Sequence, residues 1–470
     1  MTPPAAAAEL TRHSDLKCAE DKQKGKLMEK LRSTPAVIAA SALRLQILSD
    51  DGKTAVSQQR TFWIPVICGA VILTIGIGAR QSFGIFQKPI AADLQVGREL
   101  WSFANALALL LMGACSPFAG NLADRCGTAR TVGAGGALYV AGMLMIATAS
   151  EGVMLTVGNV LAGIGMAGAG FGPILGAIGR QSPVEWRSSA LGIATAGGSF
   201  GQFAIVPFAS ILQSSLDNWH STMFVLAAVS VTMVPLALGL REDRAVPEKA
   251  GALRPQNSKD ALREAFRTQG FWLLTIGFFV CGFHVTFIGL HLPSYVSDYS
   301  VRLSFFGRPI SAIELGGWAI GLVGLFNIIG TLLWGWLGGH HLRKDMLALL
   351  YALRALAFVL FLAVPLSWIS VLVFAASLGF LWLGTVPLTS GLVAYMFGTT
   401  HMSMLWGIVF FSHQFGSFLG GWGAGRLYDV QGNYHLVWWI SVGLGIFAAV
   451  IHWLIRERPV ERLALAAVGS

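Results

Sequence analysis

The chain has 470 residues, of which 54% are hydrophobic and only 12% charged, with a formal net charge of +9 and a mean hydropathy of +0.63. Soluble domains carry about 25% charged residues, so this composition excludes an ordinary soluble domain and describes a membrane protein. The excess of basic residues has no nucleic-acid-binding module to serve, and it is read instead as a signal of membrane orientation.

Residues 1–60 carry ten Lys and Arg and lack a continuous apolar core. They read as a disordered or loosely helical cytoplasmic tail rather than a cleaved signal peptide, with Met28 as an alternative start. From Thr61 onward, twelve apolar runs follow, centred near Ile75, Leu110, Tyr139, Met166, Gly198, Val231, Phe283, Ile328, Leu356, Ala376, Phe411 and Gly445. Each approaches or exceeds the roughly 20 residues that a helix needs to cross hydrocarbon. The 56 glycines fall largely inside these runs, where helices must approach closely, and the ten-residue alternation of a β-barrel is absent. The expected fold is all-α and integral to the membrane: twelve transmembrane helices in two pseudo-symmetric six-helix bundles. Residues 61–241 form the first bundle, 242–268 a cytoplasmic linker rich in Arg, Glu and Pro, 269–458 the second bundle and 459–470 a tail. The breaks after runs 2, 4, 6 and 8, with the C-terminus, hold sixteen Lys and Arg, against five in the other breaks. By the positive-inside rule both termini then face the cytoplasm. Of the five cysteines, Cys68, Cys115 and Cys281 lie in apolar runs, and no spacing suggests a disulfide framework or a metal.

The bundles are copies of one another. Gly78/Gly282, Arg80/His284, Ser82/Thr286, Phe83/Phe287 and Pro89/Pro293 all stand 204 positions apart. Later pairs stand 215 apart: Gly120/Gly335, Leu122/Leu337, Gly192/Gly407, Ile193/Ile408, Phe200/Phe415, Gly201/Gly416, Asn218/Asn433 and His220/His435. The shift of eleven fits an insertion at Val301–Ser311. Duplicated membrane helices with an ionisable group in each copy are the mark of a secondary transporter whose site lies near mid-membrane between the repeats.

Gly120-Asn121-Leu122-Ala123-Asp124-Arg125-Cys126-Gly127-Thr128-Ala129-Arg130 resembles the major facilitator superfamily signature between helices 2 and 3. The resemblance covers about residues 61–458 and implies alternating access, with helices 1, 4, 7 and 10 central and 3, 6, 9 and 12 peripheral. Gly120, Asp124, Arg125, Gly127 and Arg130 would form a cytoplasmic gate, the acid meeting a helix N-terminus and nearby arginine. The second copy, Gly335 to His340, lacks the acid, so latching is expected to be asymmetric. Within the superfamily, Arg80-Gln81-Ser82-Phe83-Gly84-Ile85-Phe86, His291-Leu292-Pro293 and His413-Gln414-Phe415-Gly416 are similar to the monocarboxylate transporter and oxalate/formate antiporter branches. Two positions depart from those branches. Asn159 stands where many proton-coupled members carry Arg, and Phe326-Asn327 where many monocarboxylate carriers have an acid and an Arg.

The candidate substrate-binding residues are Arg80, Gln81, His284, Asn327, Tyr395, His413 and Gln414. Burying Arg80 mid-helix costs about 2.5–3.5 kcal/mol, and since no acid falls in any span centre the expected counter-ion is the substrate itself. His284 and His413 are the proton-coupling candidates, because histidine titrates near neutrality. His291 lies two turns beyond His284. Arg354, in the ninth run, is read as structural. Gly163-Ile164-Gly165-Met166-Ala167-Gly168 fits a dinucleotide pattern but sits inside an apolar run with no strand before it, and Gly168 to Gly176 gives only weak support for drug efflux.

With no nucleophile–base pair, metal cluster or phosphate loop in view, neither an enzyme nor a cofactor is expected. The reading is a secondary carrier in the inner or plasma membrane. It would move a small organic anion, a mono- or dicarboxylate, by proton symport or anion exchange, and act as a monomer with no partners beyond substrate, coupled proton or counter-anion, and lipid. The alternatives are a drug/proton efflux antiporter, suggested by the 15 Trp, and a non-transporting membrane sensor.

Overall fold

The computed structural model describes residues 63–241, 257–298, 303–305, 308–398 and 401–463. The expectation of a cytoplasmic tail over residues 1–60 falls outside them, as does most of the linker. Eleven of the described helices are long and apolar enough to span a membrane. In chain order these are α1 (Trp63–Asp93), α2 (Arg98–Cys126), α3 (Thr128–Ala147), α4 (Gly152–Gln181), α5 (Val184–Leu216), α6 (Trp219–Leu240), α7 (Gln269–Asp298), α8 (Ala312–His340), α9 (Arg343–Ala363), α10 (Trp368–Phe397) and, after an intervening helix, α12 (His435–Trp453). That helix, α11 (Met402–Gln431), has 30 residues. Polar and glycine positions dilute its apolar character, but it packs lengthwise on α7 and α2 and completes the twelve. Large apolar side chains such as Ile67, Phe118, Leu332 and Trp439 project outward, as a surface bathed in lipid requires.

Among the described residues, strand structure occurs in a hairpin between α7 and α8. Strands β1 (Leu303–Phe305) and β2 (Arg308–Ile310) pair antiparallel, with Leu303 opposite Ile310. It occupies the stretch that the shift in repeat register marks as inserted. In the linker, Ser258–Arg267 forms a short amphipathic helix that buries Ala261 and Ala265.

Residues from Ile64 onward form one compact unit, in which the halves meet along two seams, α2 on α11 and α5 on α8. Four of the described helices are interrupted, α6 among them at Thr232. α1 passes through a 3-10 turn at Ser82–Phe86, α4 breaks at Gly170, and α10 breaks between Phe380 and Thr385. In hydrocarbon a freed carbonyl must find a donor within the protein. The Trp101 indole supplies one, donating to the Phe83 carbonyl at 3.1 Å.

The duplicated glycines record a duplicated helix crossing. In the first half a Cβ on Gly78 would lie 2.6 Å from the Gly201 carbonyl oxygen, and one on Gly201 2.0 Å from that of Thr74. In the second half a Cβ on Gly282 would lie 1.8 Å from the His413 oxygen, and one on Gly416 2.0 Å from that of Phe279. Thus α1 crosses α5 as α7 crosses α11, backbone against backbone. The pair Gly192/Gly407 shares the repeat but meets nothing within 4 Å. Gly282→Ala should therefore cost about 1–3 kcal/mol through overpacking. Gly407→Ala should be neutral or stabilise by up to about 1 kcal/mol through helix propensity. Thermal melting of the purified variants in detergent measures both, and an unchanged melting point for Gly282→Ala would contradict the crossing.

Candidate substrate site and gates

Arg80 is the last residue but one of the regular part of α1, two residues before its 3-10 turn begins at Ser82. Its Nη1 donates to Asn105 Oδ1 at 3.0 Å and its Nη2 to the Asn105 carbonyl at 2.8 Å. Asn105, on α2, is itself oriented by donating to the Trp101 carbonyl at 2.9 Å. The guanidinium carbon stands 5.1 Å from the Phe83 ring centroid. All of these partners are neutral, so among the described residues the positive charge of Arg80 has no counter-ion, and the side chain remains partly exposed. Gln81 turns the other way, its Oε1 lying 3.3 Å from where a Cβ on Gly289 of α7 would stand.

One turn along α2 from Asn105, the Gln414 amide of α11 donates to the Leu109 carbonyl at 3.0 Å, and its aliphatic stem fills the space over Gly113. The Gln414 Oε1 faces His413 Nδ1 at 2.9 Å. Because the amide oxygen can only accept, Nδ1 is the donor in this contact. The His413 ring lies inside the second half, parallel to Phe410 with centroids 5.8 Å apart and 4.8 Å from Phe278.

On the other seam, Asn327 of α8 donates to Ser199 Oγ of α5 at 2.8 Å. Its Oδ1 accepts the backbone N–H of Leu383 at 3.0 Å, inside the break of α10. From behind, the fully buried Arg354 donates to the Trp382 carbonyl at 2.8 Å and to that of Leu381, with the Tyr351 ring 5.2 Å from its guanidinium carbon. The break in α10 is thus held from both sides. Arg354 has the structural task read from the sequence, although its Nε and Nη1 have no partner among the described residues.

Two expected site residues are not brought to this region. His284 is buried against α9 and α12, donating through Nε2 to the Ser441 carbonyl at 2.9 Å, with its ring 4.9 Å from that of Phe358. Its short side chain stays beside the helix backbone, whereas the long stem of Arg80 carries the guanidinium across to α2. Tyr395 is exposed near the end of α10, 5.5 Å from the Arg343 guanidinium.

At the Asp124 end, the acid of the gate motif pairs with Arg180 of α4 at 2.9 Å, and Arg180 also reaches Thr128 Oγ1 at 3.1 Å. Arg125 and Arg130 are exposed and do not provide the partner. Gly127 has φ +95° between α2 and α3, a conformation that suits glycine alone, while Gly120 has open space around it. The second half has its own latch, Arg343 to Glu457 at 3.2 Å.

The opposite end carries a network that the sequence reading missed. Arg98, at the start of α2, grips Asp298 of α7 through two hydrogen bonds of 2.8 and 2.6 Å, and Lys88 adds a third contact at 3.1 Å. Asp429 of α11 caps α2 by accepting the Arg98 and Glu99 N–H groups at 3.0 and 2.8 Å, while Glu99 returns to Arg426 at 2.9 Å and Trp422 at 3.0 Å. Beneath it, His291 accepts from Tyr434 at 3.0 Å and donates to the Gly421 carbonyl at 2.9 Å, with Gln87 at 3.2 Å. Gln87 and His291 are repeat equivalents, 204 positions apart, so the pseudo-two-fold axis passes between them. The only hint in the sequence is that acids and bases gather at matching ends of α1, α2, α7 and α11. Among the described residues no group of three or more His, Cys, Asp or Glu is placed to hold a metal.

The family model of the Major Facilitator Superfamily matches residues 66–316 and 309–469. The chain belongs to this superfamily. It is similar to monocarboxylate transporter 13 of Rattus norvegicus, with 27% identity over 79% of this chain and 83% of that protein. It is also similar to the oxalate:formate antiporter of Oxalobacter formigenes, with 23% identity over 76% of this chain and 83% of that protein. A bacterial homologue of the lysosomal transporter Spinster, solved in an inward-facing and unoccupied conformation, shares the fold with a TM-score of 0.68 and 16% identity, over 84% of this chain and 97% of that one. The protein is therefore a multi-pass membrane transporter and not an enzyme.

Asp298→Asn should loosen the Arg98 end by about 1–3 kcal/mol, since it removes the negative charge and one of the two acceptor oxygens of a half-buried pair. Distances between spin labels on Gln95 and Asn433, in the loops on either side of the network, should gain a longer population. A distribution unchanged from the parent would rule out this network as the seal.

Proposed function

We propose that this protein is a secondary active transporter of a small organic anion, a mono- or dicarboxylate, working by alternating access in a cytoplasmic membrane. One observation carries this reading: Arg80, a mid-membrane arginine that is not fully buried as a residue and whose guanidinium partners are all neutral. A carboxylate would supply the missing charge through two parallel hydrogen bonds. Asn105 and Gln414 on one seam and Asn327 on the other add polar groups, and Gln81 adds one facing α7. The names of the monocarboxylate and oxalate:formate relatives support the same class of substrate.

The contacts between halves run from Gln414–Leu109 and Asn327–Ser199 at mid-depth to the Arg98 network at one end. The positive-inside count assigns that end to the outside, so the arrangement corresponds to a carrier closed outward, with both termini in the cytoplasm. Asp124 and Arg180 would then stabilise the first half at the cytoplasmic gate. With His284 packed against α9 and α12, His413 is the proton-coupling candidate. Its Nδ1 contact with Gln414, which in turn reaches the Leu109 carbonyl, ties the ring to the seam.

Uptake of radiolabelled carboxylates into proteoliposomes tests the reading. Arg80→Gln should lower substrate affinity about 10- to 150-fold, the worth of one or two charge-assisted hydrogen bonds, whereas Arg80→Lys should retain part of it. A folded Arg80→Gln protein transporting at the parental rate would return Arg80 to a purely structural role. His413→Gln should abolish accumulation driven by a pH gradient and spare exchange of internal for external substrate. Persistent pH-driven accumulation would exclude His413 as the proton carrier.

A further inference from the structure

A cleft of about 700 Å³ opens at the Asp124 end of the second half, away from the transport path, between the linker helix Ser258–Arg267, the start of α7 and the segment that follows α12. That segment is tied in place. The Val460 N–H donates to the Met396 carbonyl at 2.9 Å, Arg462 Nη2 donates to the Phe397 carbonyl at 3.2 Å, and Arg462 Nε lies 3.6 Å from Glu264 of the linker helix. The strap therefore joins the end of α10 to the linker.

Four arginines line the cleft, Arg263 and Arg267 from the linker helix and Arg456 and Arg458 from the strap. All four are exposed, and none forms a hydrogen bond or ion pair through its side chain among the described residues. Two acids on the rim, Asp260 and Glu461, leave an excess of four minus two, or two positive charges, since Glu264 already answers Arg462. Phe266 and Trp272 stand exposed beside it with ring centroids 5.2 Å apart, the Trp272 indole donating to the Phe266 carbonyl at 2.9 Å. Aromatic side chains of this kind mark the headgroup level of a bilayer, and basic pockets at that depth suit phosphates.

We propose that this cleft binds a phosphate-bearing anion, from a phospholipid headgroup or from solution, and that the bound anion clamps the linker helix to the strap beneath α10. Planar guanidinium forks on facing walls match phosphate oxygens in pairs. Each arginine removed should weaken binding by about fivefold, and two together by about 25-fold.

The test uses the full chain and hydrogen exchange of residues 258–267 and 456–463. One arm adds inorganic pyrophosphate to protein in neutral detergent. The other compares nanodiscs of phosphatidylcholine with and without phosphatidylglycerol. Protection in the lipid arm alone identifies a headgroup, in the pyrophosphate arm alone a soluble anion, and in both a general phosphate site. The Arg263→Gln/Arg456→Gln variant should need about 25-fold more probe for equal protection. The Lys/Lys variant should fall between it and the parent, and sodium chloride at matched ionic strength should protect neither segment. No protection in either arm, or equal protection in the Gln/Gln variant with an unchanged melting point, would overturn the proposal.

Discussion

Inside hydrocarbon a polar group cannot turn to water, and most of the architecture follows from that. Each interruption of a membrane helix frees carbonyls and N–H groups that must be answered from within, at several kcal/mol for each one left unpaired. The break in α10 is answered by Arg354 and Asn327, and the turn in α1 by Trp101. The same constraint separates the two membrane arginines. Arg354 is sealed and turns one nitrogen, Nη2, to two carbonyls of a broken helix, while Arg80 spends two nitrogens on one neutral residue and keeps an unanswered charge on a side chain that is not fully buried.

Duplication supplies the frame, and departures from it supply the chemistry. Ser199 and Gln414 are equivalent under the 215-residue register, as are Leu109 and Gly324. Gln414 seats on the Leu109 carbonyl, and a Cβ on Gly324 would touch the Ser199 carbonyl at 2.7 Å. The seams are therefore two copies of one crossing. Their side chains differ, however: Asn327 stands where the first half has Met112, and Gln414 where it has Ser199. A symmetric crossing filled with asymmetric polar groups can pass an asymmetric small molecule while both halves keep the same way of moving.

The spans, the repeat and the close-packed glycines were legible in the sequence, because length, hydropathy and register are properties of the chain itself. Partners were not. Asn105 is an ordinary helix residue until the fold brings it under Arg80. Lys88, Arg98 and Arg426 read as loop charges in an orientation count, yet all three are locked to acids from the opposite half. His284 misleads for a different reason. Its register with Arg80 fixes its depth but says nothing of reach, and a ring one carbon from the backbone meets Ser441 and Phe358 instead of the seam.

Where the charges sit also decides what can move. An ion pair at the edge of the bilayer has water as an alternative partner, so an exposed one is worth only about 0–1 kcal/mol. Arg426–Glu99 and Lys88–Asp298 are of this partly exposed kind, and only the Arg98–Asp298 grip is substantially withdrawn from solvent. The mid-membrane bonds of Gln414 and Asn327 have no such alternative and would cost more to leave unmade. A carrier built this way would part at its ends and pivot about its middle. The polar groups of the two seams would then stay paired with each other, or with a substrate held beside Arg80, throughout the stroke.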